Sequence, residues 1–237
     1  MRNLIRAVVN GTLQKYGYEV RRRHESKGFL RQVKFATVID GGANVGDYAA
    51  KMRGDYPCAE IHAFEPTPKL FQGLKQRFAG DAKISCYDLA LGDEDGSATF
   101  HVTHDTVSSS LLEEAEAGSY GLNEAVTVSV KRLDTWASNL TISRPALLKL
   151  DIEGNELAAM RGAEKVLSQI DYIELETTFV SARIGQPTFR EILNFLNDHD
   201  FELIDVYPGI LDSKTGRANW ADALFARRAP TMNDKQT

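Results

Sequence analysis

The sequence predicts an α/β domain in which a mostly parallel sheet carries helices on both faces. Short apolar runs alternate with helix-like segments from Val33 onward, the pattern of strands joined by helical crossovers. One of those runs enters a glycine-rich turn that leads into a helix, and acidic residues recur where successive runs end, at Asp40, Glu65 and Asp88.

The strand segments, in order, are Thr37 to Asp40, Glu60 to Phe64, Lys83 to Tyr87, Ala146 to Leu150, Tyr172 to Leu175, Phe201 to Val206 and Ala223 to Arg227. Helices are expected between them at Val45 to Arg53, Pro68 to Ala79, Asn155 to Ser168 and Thr188 to His199. Leu157, Met160, Val166 and Leu167 share one helical face, as do Phe189, Ile192, Leu193 and Leu196, and stripes of this spacing face a core. The alternation breaks once, from Gly96 to about Trp136, where strand-like Ser97 to Val102 and Val126 to Lys131 flank a polar loop. This insertion is expected to elaborate the sheet edge or the mouth of a site. With no internal repeat or Pro-rich linker, residues 33–229 read as one domain, after a helical and basic lead-in over 1–32 and before a frayed tail over 230–237.

Composition narrows the function. The 237 residues are 43% hydrophobic, ordinary for a globular domain, and carry a formal charge of -5, which argues against whole-domain attraction to nucleic acid. Cys58 and Cys86 form no CxxC pair, so neither a disulfide framework nor a zinc knot is expected, and a reducing cytoplasm fits. The apolar stretch within Met1 to Gly11 is interrupted by Arg6, is too short to span a bilayer and lacks a cleavage site, so it reads as an amphipathic helix. Its apolar stripe leaves open whether it covers its own sheet or a partner chain. The basic stretch Arg21, Arg22, Arg23, His24, Lys27 and Arg31 reads as a solvated lead-in, with an anionic contact as the alternative.

The chemistry begins at Val38-Ile39-Asp40-Gly41-Gly42-Ala43-Asn44-Val45-Gly46. Glycines there admit positive φ and close approach of a ligand, and the free N–H groups of the following helix favour an anionic group, so a nucleotide-like ligand is expected. Glu65 follows the next strand, 25 residues after Asp40, where a carboxylate can accept both hydroxyls of a ribose. At the third strand end Asp88 could accept from an adenine amino group while Leu89 packs on the ring. The glycine spacing departs from G-x-G-x-x-G, so a methyl donor fits better than a nicotinamide.

Together with Leu148-Lys149-Leu150-Asp151-Ile152-Glu153-Gly154-Asn155-Glu156, these residues resemble the FkbM family of methyltransferases. The similarity runs from about Phe35 to Arg227 and includes Phe64-Glu65-Pro66, Ala90-Leu91-Gly92, Ser108 to Leu111, Leu133 to Trp136 and Glu174 to Glu176. The resemblance implies a Rossmann-like class I methyltransferase fold, a seven-stranded sheet with a terminal antiparallel strand. It also implies S-adenosylmethionine-dependent O-methylation of a hydroxyl on a glycan, polysaccharide precursor or secondary metabolite. Asp40, Gly41, Gly42, Asn44 and Gly46 would then surround the donor's methionine portion, Glu65 would hold its ribose, and Asp88 and Leu89 its adenine. The alternatives are an NAD-linked oxidoreductase and a non-catalytic adenosyl-binding module.

Such a reaction wants a base beside the donor. Asp151 is the first candidate, because it emerges at the carboxyl end of its strand, alternating with Lys149; Glu153 is the second. Both could instead serve a helix start near Glu153. Glu174 and Glu176 alternate onto one face of the next strand and, with Lys149, Ser109 and His104, are candidate acceptor contacts. His101 and His104 could equally face solvent, and Ser108 to Ser110 could be only a turn. Trp136 and Tyr207 could stack on a sugar ring, with a core role as the alternative for Trp136, and Tyr48 could close over the donor. A divalent metal is a disfavoured alternative cofactor, with no ligand assigned: Asp151, Glu174 and Glu176 are hard oxygen ligands of the kind magnesium takes, but a sugar hydroxyl offers one oxygen where metal-dependent catechol chemistry offers two.

Overall fold

Seven strands form one sheet in the order β3-β2-β1-β7-β8-β10-β9. They are β1 (Thr37–Gly41), β2 (Glu60–Phe64), β3 (Ile84–Tyr87), β7 (Ala146–Leu150), β8 (Tyr172–Thr178), β9 (Phe201–Pro208) and β10 (Trp220–Arg227). The structure, a computed structural model, describes residues 30–104, 108–115, 121–209, 211 and 215–229. The lead-in helix, the residues Arg21 to Lys27 and the tail over 230–237 lie outside the described residues. The chain divides into a unit ending at Val33 and one beginning at Lys34, and the sheet belongs to the second.

The strands from β3 to β8 pair in parallel, and β10, last in the chain, runs antiparallel between β8 and β9. This is the expected α/β architecture, a mostly parallel seven-stranded sheet whose last strand is antiparallel. β1 and β7 are buried at every position, as a central parallel strand must be when both faces are covered. Ile39, Phe64, Leu148, Leu150 and Ile173 belong to the main core on one face, whereas the neighbouring Ala63 packs with Ala43 and Leu74 on the other.

The helices are α1 (Asp47–Asp55), α2 (Pro68–Arg77), α3 (Leu133–Trp136), α4 (Glu156–Arg161), α5 (Glu164–Leu167) and α6 (Phe189–Asp198). Thr188 and Glu191 close a capping box that starts α6. The single helix expected over Asn155 to Ser168 is two. A Cβ at Gly162 would lie 2.0 Å from the Gly92 carbonyl oxygen, and Asp134, from a distant segment, accepts from Lys165 N and Val166 N to start the second turn. β8 also runs past its expected end at Leu175, because β10 pairs with it as far as Thr178.

The insertion is a second sheet of three strands, ordered β4 (Ala90–Leu91), β6 (Leu122–Lys131) and β5 (Gly96–Thr103). It begins earlier than expected, since β4 already leaves the main sheet. Among the described residues no helix is long and apolar enough to cross a membrane.

Candidate active site

The chain leaves β1 through a turn held by Gly42 (φ 79°), Asn44 (φ 49°) and Gly46 (φ 84°), which delivers α1. Gly42 N and Ala43 N donate to the Phe64 carbonyl at 3.1 and 2.9 Å, binding the turn to the end of β2. Glu65 faces this turn: its two carboxylate oxygens accept from Asn44 N at 2.9 Å and Thr67 N at 2.8 Å. Each oxygen retains a lone pair that a ligand hydroxyl can occupy. Burial raises the Glu65 pKa, and the bonds from Thr67 and Asn44 work against that rise.

Turn and carboxylate form one side of a cleft of about 660 Å³, within the usual range for small-molecule sites. Asp151, Glu153 and Glu176 line it from the side of β7 and β8, and Ser108, Ser109 and Phe100 of the insertion line its mouth. One oxygen from each of Asp151, Glu153 and Glu176 lies within 4.8 Å of the others. Lys149, 7% exposed, sits beneath with its ammonium 3.2 Å from Asp151 and 3.6 Å from Asp40. Burial works against that ammonium, but Asp151, Asp40 and Glu174 more than offset it and hold its pKa above the ordinary lysine value. Burial also pushes the Glu176 carboxyl up to about 9, helped by Asp151 and Glu153, so Glu176 carries a proton at neutral pH.

Residues 40–203 match the Methyltransferase FkbM domain. The chain belongs to the FkbM methyltransferase family. It is 24% identical over 182 residues to the 2-O-methyltransferase NoeI of Sinorhizobium fredii, covering 72% of this chain and 74% of that protein. It is 26% identical over 194 residues to the 31-O-demethyl-FK506 methyltransferase FkbM of Streptomyces tacrolimicus, covering 70% and 73%. An rRNA methylase structure from Streptococcus thermophilus aligns at 13% identity and a TM-score of 0.49, over 90% of this chain and all of that one.

In this FkbM methyltransferase the sequence-expected residues divide into those the fold gathers and those it does not. Gly42, Asn44, Glu65, Leu89 and Lys149 line the cleft, with Asp151, Glu153, Glu176 and Ser109. Asp40, Gly41 and Gly46 do not reach its wall. Asp40 is fully buried under the turn; Cβ atoms on Gly41 and Gly46 would instead strike Leu150 and Leu91, or Phe78 and Leu74, so both glycines serve packing. Asp88 is exposed and lines no part of the cleft. Tyr87 before it stacks on Phe64 at 4.8 Å, and strand alternation then turns Asp88 outward and Leu89 back toward the cleft. His104 is exposed on the insertion and lies off the cleft wall. Glu174 lies deeper than Glu176, where it accepts from the Tyr48 hydroxyl at 3.1 Å, so the acidic group at the cleft contains Glu153 in its place. Trp136 joins the aromatic group of Phe64, Tyr87 and His62, and neither it nor Tyr207 lines the cleft. Neither Asp151 nor Glu153 caps α4: Glu156 folds back to accept from Ile152 N and Gly154 N, and the helix starts there.

Arg183 and Trp220 were not visible as site residues in the sequence, because both lie in segments without a motif. Trp220 lines the cleft from the start of β10. The buried Arg183 donates to Glu153 at 2.9 Å and to the Ser108 carbonyl at 2.6 Å, tying the insertion to the β7 loop. Removing one partner of such a buried pair leaves the other uncompensated. Arg183→Ala is therefore expected to lose about 3 kcal/mol in urea unfolding, and the double variant with Glu153→Ala to recover part of it.

Glu156 sets a pH dependence. Burial raises its pKa from 4.5 to about 7, against the pull of the bonds from Gly154 and Ile152. Between those values the folded chain holds a proton that the unfolded chain has released, so this group's contribution to stability falls as pH rises from 4.5 to 7 and is flat above. Glu156→Gln keeps the acceptor oxygen without the charge. Its Tm is expected to exceed that of the parent by roughly 3 °C at pH 8 and to match it near pH 4.5.

Proposed function

We propose that this chain transfers the methyl group of S-adenosylmethionine to a hydroxyl of a glycan, polysaccharide precursor or comparable secondary metabolite, with Asp151 as base. The observation that carries the reading is one cleft with Glu65 facing the glycine turn on one side and Asp151 on the other. The two relatives described above are both named as O-methyltransferases. The residues fit the donor: Glu65 has acceptor capacity for ribose hydroxyls, and Leu89 offers an apolar surface to adenine. The net charge of -5 disfavours a nucleic-acid acceptor.

The donor supplies a methyl group already activated on a sulfonium, so the protein must orient a hydroxyl and take its proton. As the new O–CH3 bond forms and the C–S bond breaks, the hydroxyl proton passes to an Asp151 oxygen. Lys149, 3.2 Å away, holds that carboxylate in place. Glu176, carrying its proton, donates to a neighbouring acceptor oxygen and orients it. Glu153 is occupied by Arg183, which also places a positive charge beside the acidic group and disfavours a bound cation there. Transfer is therefore expected to proceed without a metal.

The test is tritiated methyl transfer from S-adenosylmethionine to a panel of neutral methyl glycosides, oligosaccharides and hydroxylated macrolactones, with and without EDTA. Label on a hydroxyl oxygen, at an unchanged rate in EDTA, supports the reading. A rate lost in EDTA and restored by magnesium would assign the three carboxylates to a metal. Calorimetry showing NAD binding and no donor binding would overturn the function itself.

A further inference from the structure

We propose that Trp220 is the platform on which the acceptor stacks, and that the acceptor is a pyranose sugar with its hydroxyl edge turned to the acidic group. The inference rests on the methyl-transfer reading above and narrows its acceptor. β10 pairs with β8 so that Trp220 stands opposite Thr178, and Asp222 opposite Glu176. Opposed residues send their side chains to the same face of a sheet, and Thr178 and Glu176 both line the cleft. The indole therefore lies on the cleft face, one residue pair from Glu176, or about 7 Å along the strand.

β9 flanks β10 on the other side, and Gly209, just beyond its end, donates its N–H to the Trp220 carbonyl at 3.0 Å. A Cβ on Gly209 would lie 2.3 Å from Cε2 of the indole and 2.5 Å from both Cδ2 and Cζ2. Near-equal distances to three adjacent atoms of the six-membered ring place that point over the face of the ring and not at its edge. The indole is thus laid flat on the glycine backbone. One face is held there, and the half-buried ring turns its remaining surface to the cleft.

Covering a glycine serves sheet packing by itself. What adds a ligand role is the place of the ring in the cleft wall and the polar groups beside it. Asn219 and Gln186 line the same cleft. The Gln186 side-chain oxygen accepts from Ala182 N and Arg183 N at 2.9 and 3.2 Å, which gives its NH2 group, a pure donor, a set direction. A pyranose presents C–H groups on its face and hydroxyls around its edge, and C–H groups pack well on the negative face of an aromatic ring. That arrangement matches a flat apolar platform bordered by amides and carboxyls. A macrolactone, aliphatic around most of its edge, leaves those amides without partners.

The sequence holds two tryptophans, and Trp136 lies off the cleft among Phe64, Tyr87 and His62. Trp136→Phe in the full chain therefore makes Trp220 the sole indole reporter, and the parent chain gives the same signal over a constant background if that variant is unstable. With S-adenosylhomocysteine bound, titration with neutral methyl pyranosides and oligosaccharides is expected to shift the emission saturably. Trp220→Leu, which keeps an apolar cover over Gly209, is expected to raise KM for a methylated saccharide about tenfold, with kcat and S-adenosylhomocysteine affinity within about threefold. Trp220→Phe, which retains a ring, is expected to recover most of that loss. No saturable shift with any saccharide overturns the proposal, as does an unchanged saccharide KM in folded Trp220→Leu. Methyl transfer to a macrolactone alone also overturns it, while the methyltransferase reading stands. If S-adenosylhomocysteine does not bind, that reading fails first and the inference falls with it.

Discussion

Asp151→Asn is expected to lower kcat by about 10²–10⁴ while leaving affinity for S-adenosylhomocysteine within about threefold. The substitution keeps the size of the side chain and leaves an oxygen facing the Lys149 ammonium, now 3.2 Å from the carboxylate. What it removes is the capacity to take up a hydroxyl proton. A neutral alcohol is a poor nucleophile until that proton starts to leave, so the loss falls on the chemical step. Single-turnover transfer with an acceptor from the glycoside and macrolactone panel reads that step directly. A loss smaller than about threefold would move the base elsewhere, and Glu153, sharing the same acidic group, would be the next residue to replace.

Gly42→Ala is expected to be the most disruptive single methyl group in the donor half of the site. The new Cβ would lie 1.9 Å from the Asp151 carbonyl oxygen, a backbone atom that cannot swing aside, at a residue with φ of 79°. Backbone strain of about 1–3 kcal/mol and overpacking of similar size add to roughly 3–5 kcal/mol, a large share of a domain's stability. A Tm lower by roughly 10 °C is expected, together with loss of S-adenosylhomocysteine binding in the fraction that remains folded. The two effects share a cause, since relief of the clash must push β1 away from β7, and the cleft lies across their ends. A variant with the parent's Tm and affinity would show that the turn can relax without opening the sheet.

The residues that were legible in the sequence are those whose role is set by their neighbours along the chain. Asp40 to Gly46 announces a strand, a positive-φ turn and a helix, because only small or αL-tolerant residues can make that reversal. Glu65 follows from the same logic one βαβ step later, and the structure turns it to the glycine loop through the Asn44 amide. Strand alternation likewise placed Lys149 and Asp151 on one side of β7 and Glu174 and Glu176 on one side of β8. It could not say how deep each would lie. Depth depends on the antiparallel partner β10, which extends β8 and leaves Glu174 under the cleft and Glu176 in its wall.

Other features came from contacts between segments far apart in the chain. Asp88 was expected at the ligand because it ends a strand, but the packing of Tyr87 against Phe64 and Trp136 sends it to solvent. The break between α4 and α5 is imposed by Gly92 and Asp134, which no local helix propensity contains. Arg183 acquires its role only when the insertion and the β7 loop arrive on either side of it.

The sequence by itself determined the α/β class and the succession of strand, positive-φ turn and helix at Asp40 to Gly46, since these follow from periodicity, φ preferences and motifs within one chain segment. Only the tertiary structure decided which carboxylates share the cleft and which are buried beneath it with Lys149. That outcome depends on strand register and on packing in the interior, where desolvation and charge compensation act between residues that are not neighbours in sequence.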